Sequence, residues 1–152
     1  MCIRDSPGLS FGPQVREYFV RVKETLLWFN MLFTHEPYRS WFVYLLAVVD
    51  QMKPRRIIEI CQRLGLTDEE VRAILSSQAK VHAILRDLVS TKPIRPSDVV
   101  RIMEGARLEE ILFAMSKTKS PEVREMISTY ITTWRSYKPP VSGKDLIAMG
   151  FE

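Results

Sequence analysis

Apolar residues recur along this chain at three- and four-residue spacing, with polar residues filling the opposite positions. Val15, Tyr18, Phe19, Val22, Leu26, Phe29 and Phe33 form one such stripe. It predicts a first helix over Pro13 to Phe33 with one buried face, which Leu27, Trp28 and Met31 widen towards a second neighbour. Pro37 follows Thr34-His35-Glu36 and suits the first position of a second helix running to Met52. From Trp41 to Val49 that helix is apolar nearly all round, which places it at the centre of a bundle. Pro54 opens a third helix carrying Ile57, Ile58, Ile60, Cys61 and Leu64, and Gly65 closes it.

Thr67-Asp68-Glu69-Glu70 is a capping box whose extra acids favour the helix dipole. The fourth helix runs from it to about Val89, with Val71, Ile74, Leu75, Gln78, Val81, Leu85 and Leu88 inward. After a polar loop from Ser90 to Pro96, Ser97 is expected to cap a fifth helix holding Val99, Val100, Ile102 and Met103, ended by Gly105. Leu108, Ile111, Leu112 and Met115 mark a sixth helix. Ser120-Pro121 starts a seventh, with Val123, Met126, Ile127, Tyr130 and Trp134 at core spacing. Pro139-Pro140 then forbids helix on its N-terminal side, and Ser142 is the expected N-cap of a last short apolar helix. No sustained period-two alternation and no repeat is present. The expectation is an all-α domain, an irregular bundle of seven or eight helices.

Composition narrows this without changing it. The 152 residues are 46% hydrophobic and 26% charged, ordinary for one globular domain. Two cysteines, Cys2 and Cys61, make no disulfide framework, and Cys61 sits in an apolar helix as a buried thiol. A reduced, cytoplasmic setting is expected. The apolar run Trp41 to Val49 is far short of the roughly 20 residues that span a bilayer, and no signal-peptide layout is seen, so no membrane partner is expected. Met1 to Ser6, M-C-I-R-D-S, resembles a translated adapter remnant and is set aside as a non-native leader. Residues 7–138 then read as a helical body and 139–152 as the start of a C-terminal unit cut short, so the chain is expected to be a fragment.

Catalytic chemistry finds little support. His35 and His82 are the only histidines, neither is followed by Asp, and no C-x-x-C occurs. Both are expected to be structural or solvent-facing. Gly143-Lys144 lacks the upstream Gly of a phosphate-binding loop, and Asp145 stands where that loop needs Ser or Thr. Asp68-Glu69-Glu70 and Glu109-Glu110 lie in first helical turns, where the dipole accounts for them. No catalytic residue and no metal ligand is assigned.

Positive charge remains. The net charge is +4, compatible with a polyanionic partner. Lys53, Arg55 and Arg56 surround the start of the third helix, where cations oppose the dipole, so they form either a phosphate site or a solvated turn. Lys92 and Arg95, with Arg86 and Arg101 nearby, form a second candidate patch, and Lys117 with Lys119 a third. Arg135, Lys138 and Lys144 form another, beside the stacking surfaces of Trp134 and Tyr137.

The tail P-P-V-S-G-K-D-L-I-A-M-G-F, Pro139 to Phe151, resembles the C-terminal segment of bacterial tRNA nucleotidyltransferases, the CCA-adding enzymes, and the related poly(A) polymerases. The stretch V-R-E-Y-F-V-R-V-K-E-T-L-L-W-F-N, Val15 to Asn30, is similar to the helical region of the longer members. The resemblance implies a parent enzyme with an N-terminal catalytic head in cis, using magnesium and CTP or ATP. That head is missing here, so this chain is expected to hold no cofactor of its own. Its helical part would grip tRNA or another RNA 3′ end, with Lys144 touching phosphate, Leu146 and Ile147 packing, and Asp145 equally readable as a first-turn residue. The rival expectation is a helical protein-interaction or scaffold domain that binds no nucleic acid.

Overall fold

A computed structural model of the chain describes residues 12–90, 94–137 and 143–150. Its elements are α1 (Pro13–Asn30), α2 (Ser40–Val49), α3 (Pro54–Arg63), α4 (Asp68–Ser90), α5 (Pro96–Met103), α6 (Leu108–Lys117), α7 (Pro121–Thr129) and α8 (Gly143–Ala148). Between α7 and Arg135 the chain continues as a π-helical turn, Tyr130–Trp134. No strand occurs among the described residues, so the chain is all-α as its periodicity requires. No described helix is long and apolar enough to cross a membrane.

The termini follow local chemistry. Thr67 Oγ1 accepts the Glu70 N–H at 3.2 Å while the Glu70 carboxylate accepts the Thr67 N–H at 2.8 Å, closing the capping box of α4. Ser120 Oγ accepts the Val123 N–H at the start of α7. Gly65 after α3 lies at φ 74°, a conformation that side chains with a Cβ resist. Ser97, by contrast, does not cap α5. Pro96 already takes the first helical position, so Arg95 becomes the cap residue, and its N–H donates to the Asp98 carboxylate at 3.1 Å. The Ser142 cap lies outside the described residues.

The centre of the bundle belongs to α6, not to α2. Every residue from Leu108 to Ser116 is buried, and α1, α2, α4 and α7 all pack against this helix. Its polar side chains are satisfied internally. The Glu109 carboxylate accepts the Arg39 N–H at 3.0 Å, and Glu110 accepts the Ser77 hydroxyl at 2.7 Å and the Arg107 N–H at 2.9 Å. Burial would push the Glu109 carboxyl up, but the backbone and guanidinium donors of Arg39, together with its own N–H, hold it below its ordinary value. Among the described residues no buried side-chain nitrogen or oxygen lacks a partner. Meanwhile α2 buries Phe42, Val43, Leu46, Ala47 and Val49 but leaves Trp41 at the surface.

Several boundaries differ from the periodic reading, among them the end of α2, which stops at Val49 and not at Met52. α1 stops at Asn30, so Phe33 leaves the apolar stripe and is 77% exposed. Pro37 does not open α2, which begins three residues later at Ser40. The residues between bridge the two helices in an irregular connection, whose Tyr38 hydroxyl donates to Asn30 Oδ1 at 2.9 Å.

Candidate nucleic-acid interface

The cations at the start of α3 stand where expected. Lys53 is the N-cap residue and, like Arg55, is exposed. The Arg56 guanidinium donates to Glu59 at 2.9 Å, and Arg55 lies 3.7 Å from the same carboxylate. Glu59 partly offsets this charge, but no acid lies in the first turn of α3.

Arg95 is exposed at the start of α5, one turn from an Arg101–Asp98 ion pair at 2.8 Å. Lys92 lies outside the described residues. Arg86 pairs with the adjacent Asp87 at 3.1 Å. α5 packs on the π-helical turn, so the Arg95 and Arg135 ends belong to neighbouring elements, whereas α3 packs on α4.

Arg135 differs from the isolated cation its sequence context presents. Its two terminal nitrogens donate to the two oxygens of Glu36 at 2.6 and 2.7 Å, a bidentate pair joining the α1–α2 connection to the end of the π turn. Tyr137 is exposed beside it, Trp134 is half-buried against the core, and Lys138 lies outside the described residues. Lys144 is exposed on α8, as a phosphate-contacting lysine must be. Ile147, expected in packing, is 72% exposed on the same helix.

Lys117 and Lys119 separate. Lys119 is exposed, but the Lys117 ammonium donates to the buried Asp50 carboxylate at 2.7 Å and lies 3.0 Å from His82 Nε2. His82 Nε2 is itself 2.9 Å from the same Asp50 oxygen, so this histidine is both structural and half-exposed. Burial works to raise the Asp50 carboxyl, yet hydrogen bonds from Lys117 and His82, the Lys117 charge and Gln51 hold it below its ordinary value. The cluster lies where α2 ends. There Gln78 also donates its side-chain amide towards the carbonyls of Val49, Asp50 and Met52. Gln78 was legible as inward-facing; its role as a helix-end cap was not.

Sequence spacing also gives no sign of a groove of about 590 Å³ between α1 and α7. Arg21, Lys119 and Arg124 line it with Trp28, facing Glu24 and Glu125. Arg21 donates to the terminal carbonyls of α6 at Lys117 and Thr118, where positive charge complements the helix dipole. A second, almost wholly apolar groove of about 310 Å³ lies among Phe19, Trp41, Tyr44 and Leu64. Among the described residues no group of three His, Cys, Asp or Glu side chains could hold a metal ion. Burial raises the Cys61 thiol above its ordinary value, which disfavours the nucleophilic thiolate.

Among known proteins, the chain is 27% identical over 148 residues to the A-adding tRNA nucleotidyltransferase of Geobacter sulfurreducens. The match covers 95% of this chain and 17% of that protein's length, and it supports kinship with the tRNA nucleotidyltransferases. No protein-family model matches the chain, and no solved structure does.

Proposed function

We propose that this chain is an RNA-holding helical portion of a tRNA nucleotidyltransferase, positioning the RNA through phosphate contacts while nucleotide transfer occurs elsewhere in the parent protein. The observation that carries this reading is the 27% identity to an A-adding tRNA nucleotidyltransferase across 95% of the chain. Exposed cations at Lys53, Arg55, Arg95 and Lys144 supply suitable groups. Magnesium and the incoming CTP or ATP belong, on this reading, to a catalytic head. The setting is cytoplasmic, where tRNA ends are built.

The test is a titration of labelled tRNA by fluorescence anisotropy at two salt concentrations. Phosphate contacts predict an affinity that falls steeply with salt, by about 0.7–0.9 logarithmic units per contact per decade. Absence of binding at low salt would remove this proposal and favour a protein-interaction scaffold. Incorporation of CTP or ATP by the chain alone would contradict the division of labour.

A further inference from the structure

The α1–α2 connection holds two non-glycine residues in left-handed backbone, Phe33 at φ 51° and His35 at φ 55°. That region is unfavourable for residues with a Cβ, and a bulky side chain there is a genuine outlier. Phe33 is also 77% exposed while Phe29, one turn earlier, is buried. The same residue therefore combines an unfavourable backbone conformation with an aromatic ring left largely in solvent among the described residues.

The connection is nonetheless held. Glu36 is clamped by both terminal nitrogens of Arg135, and Tyr38 is tied to Asn30. Arg135 is itself set by the π-helical turn, its N–H donating to the Tyr130 carbonyl at 2.8 Å. Such single turns of wider winding cluster at functional sites because they redirect the residues that follow. Two recesses meet at this clamp and share Phe29, Thr34 and Glu36. One, of about 170 Å³, has Phe33 and His35 on its wall. The other, of about 460 Å³, has Thr132, Arg135 and Ser136 and falls within the roughly 300–1,000 Å³ of ligand pockets.

We propose that residues 33–36 and Arg135 form a seat for one unpaired nucleotide of RNA, its base stacked on Phe33 and its phosphate on Arg135. The proposal rests on the RNA-holding reading above and specifies the RNA element. A nucleotide presents a π-face, sugar hydroxyls and an anion, which matches an exposed aromatic ring, hydroxyl side chains and a guanidinium. An apolar segment would cover Phe33 but leave the Glu36–Arg135 pair desolvated without new partners. In the unbound chain Glu36 neutralises Arg135, so phosphate must compete with it. Removal of the Glu36 charge should therefore tighten binding.

The experiment compares an RNA hairpin bearing a short single-stranded 3′ overhang with the same hairpin left blunt, by anisotropy on the full chain. Phe33→Asn removes the ring while suiting left-handed backbone, so its urea midpoint should hold or rise. It should weaken overhang binding about fivefold or more and leave blunt binding unchanged. Phe33→Tyr, which keeps a stacking face, should retain wild-type affinity. Glu36→Gln should tighten overhang binding by more than Glu69→Gln, a change of equal charge on α4. Equal effects of Phe33→Asn on both hairpins, no effect on either, or a Glu36→Gln gain no larger than that of Glu69→Gln overturns the seat while the RNA-holding reading stands. Failure of the wild-type chain to bind either hairpin at low salt overturns that reading, and the seat with it.

Discussion

The Asp50 carboxylate, buried at the end of α2, takes a 2.7 Å hydrogen bond from the Lys117 ammonium at the end of α6. The two residues are 67 positions apart, and their pairing fastens the outer helix to the central one. An acid at a helix C-terminus is opposed by the dipole, so Asp50 depends on the Lys117 charge and on hydrogen bonds from Lys117, His82 and Gln51. Lys117→Met should cost about 3 kcal/mol, because it leaves a buried carboxylate without its ammonium partner, held by hydrogen bonds to His82 and Gln51. Urea denaturation should show a lower midpoint with an unchanged slope. The double variant Asp50→Asn/Lys117→Met should recover part of the loss, since neither charge then remains unpaired.

The same pair sets an acid limb. The Asp50 carboxyl is held below its ordinary value of 3.8 in the folded chain, so between the two values the unfolded chain binds more protons. The stabilisation is therefore full above the unfolded value, near pH 4, and is lost as pH falls through the folded one. Glu109, also held below its ordinary value, acts in the same direction. Urea midpoints measured from pH 7 down to pH 3 should fall in the wild type. Asp50→Asn should be less stable at neutral pH and show a shallower fall at the acid end. A parallel fall would place the acid sensitivity elsewhere.

Ser77 is a small polar residue inside the core, and its hydroxyl donates to Glu110 at 2.7 Å with both residues buried. Ser77→Ala removes the donor but not the charge that needs it. The cost should be about 1–3 kcal/mol, far more than the loss of one hydroxyl at a surface position. Thermal unfolding would register this as a drop in Tm of several degrees.

The contrast between α4 and α6 explains what the amino-acid order could disclose. The start of α4 rests on four consecutive residues, Thr67 to Glu70, whose reciprocal hydrogen bonds are local and readable. The central place of α6 rests on partners far away in sequence. Glu109 meets Arg39 and Glu110 meets Ser77, so acids that look solvent-facing are buried. By its apolar run alone α2 reads as the central helix, yet Trp41 faces outward beside a shallow apolar groove. Phe33 fits the spacing of α1 only if the helix continues to it, and the helix ends at Asn30. The basic residues were legible as residues but not as a surface. Arg135 and Glu36 are 99 positions apart, and nothing local distinguishes that paired arginine from the exposed Arg55.

Arg55 offers the sharpest separation of stability from RNA affinity. It projects into solvent in the first turn of α3, where positive charge opposes the dipole and Glu59, 3.7 Å away, gives modest compensation. For folding alone, Arg55→Ala should be neutral or stabilise the chain by about 0.3–1 kcal/mol. If Arg55 meets phosphate, the same change should weaken tRNA binding uniformly across sequences and lower the salt slope by about one. Lys53→Ala should behave alike, and the double variant should add the two losses if each residue holds its own phosphate. Urea midpoints and anisotropy titrations on the same preparations give both readouts. Affinity and salt slope unchanged by the double variant would take the start of α3 out of the RNA interface and leave Arg95 and Lys144 as its exposed cations.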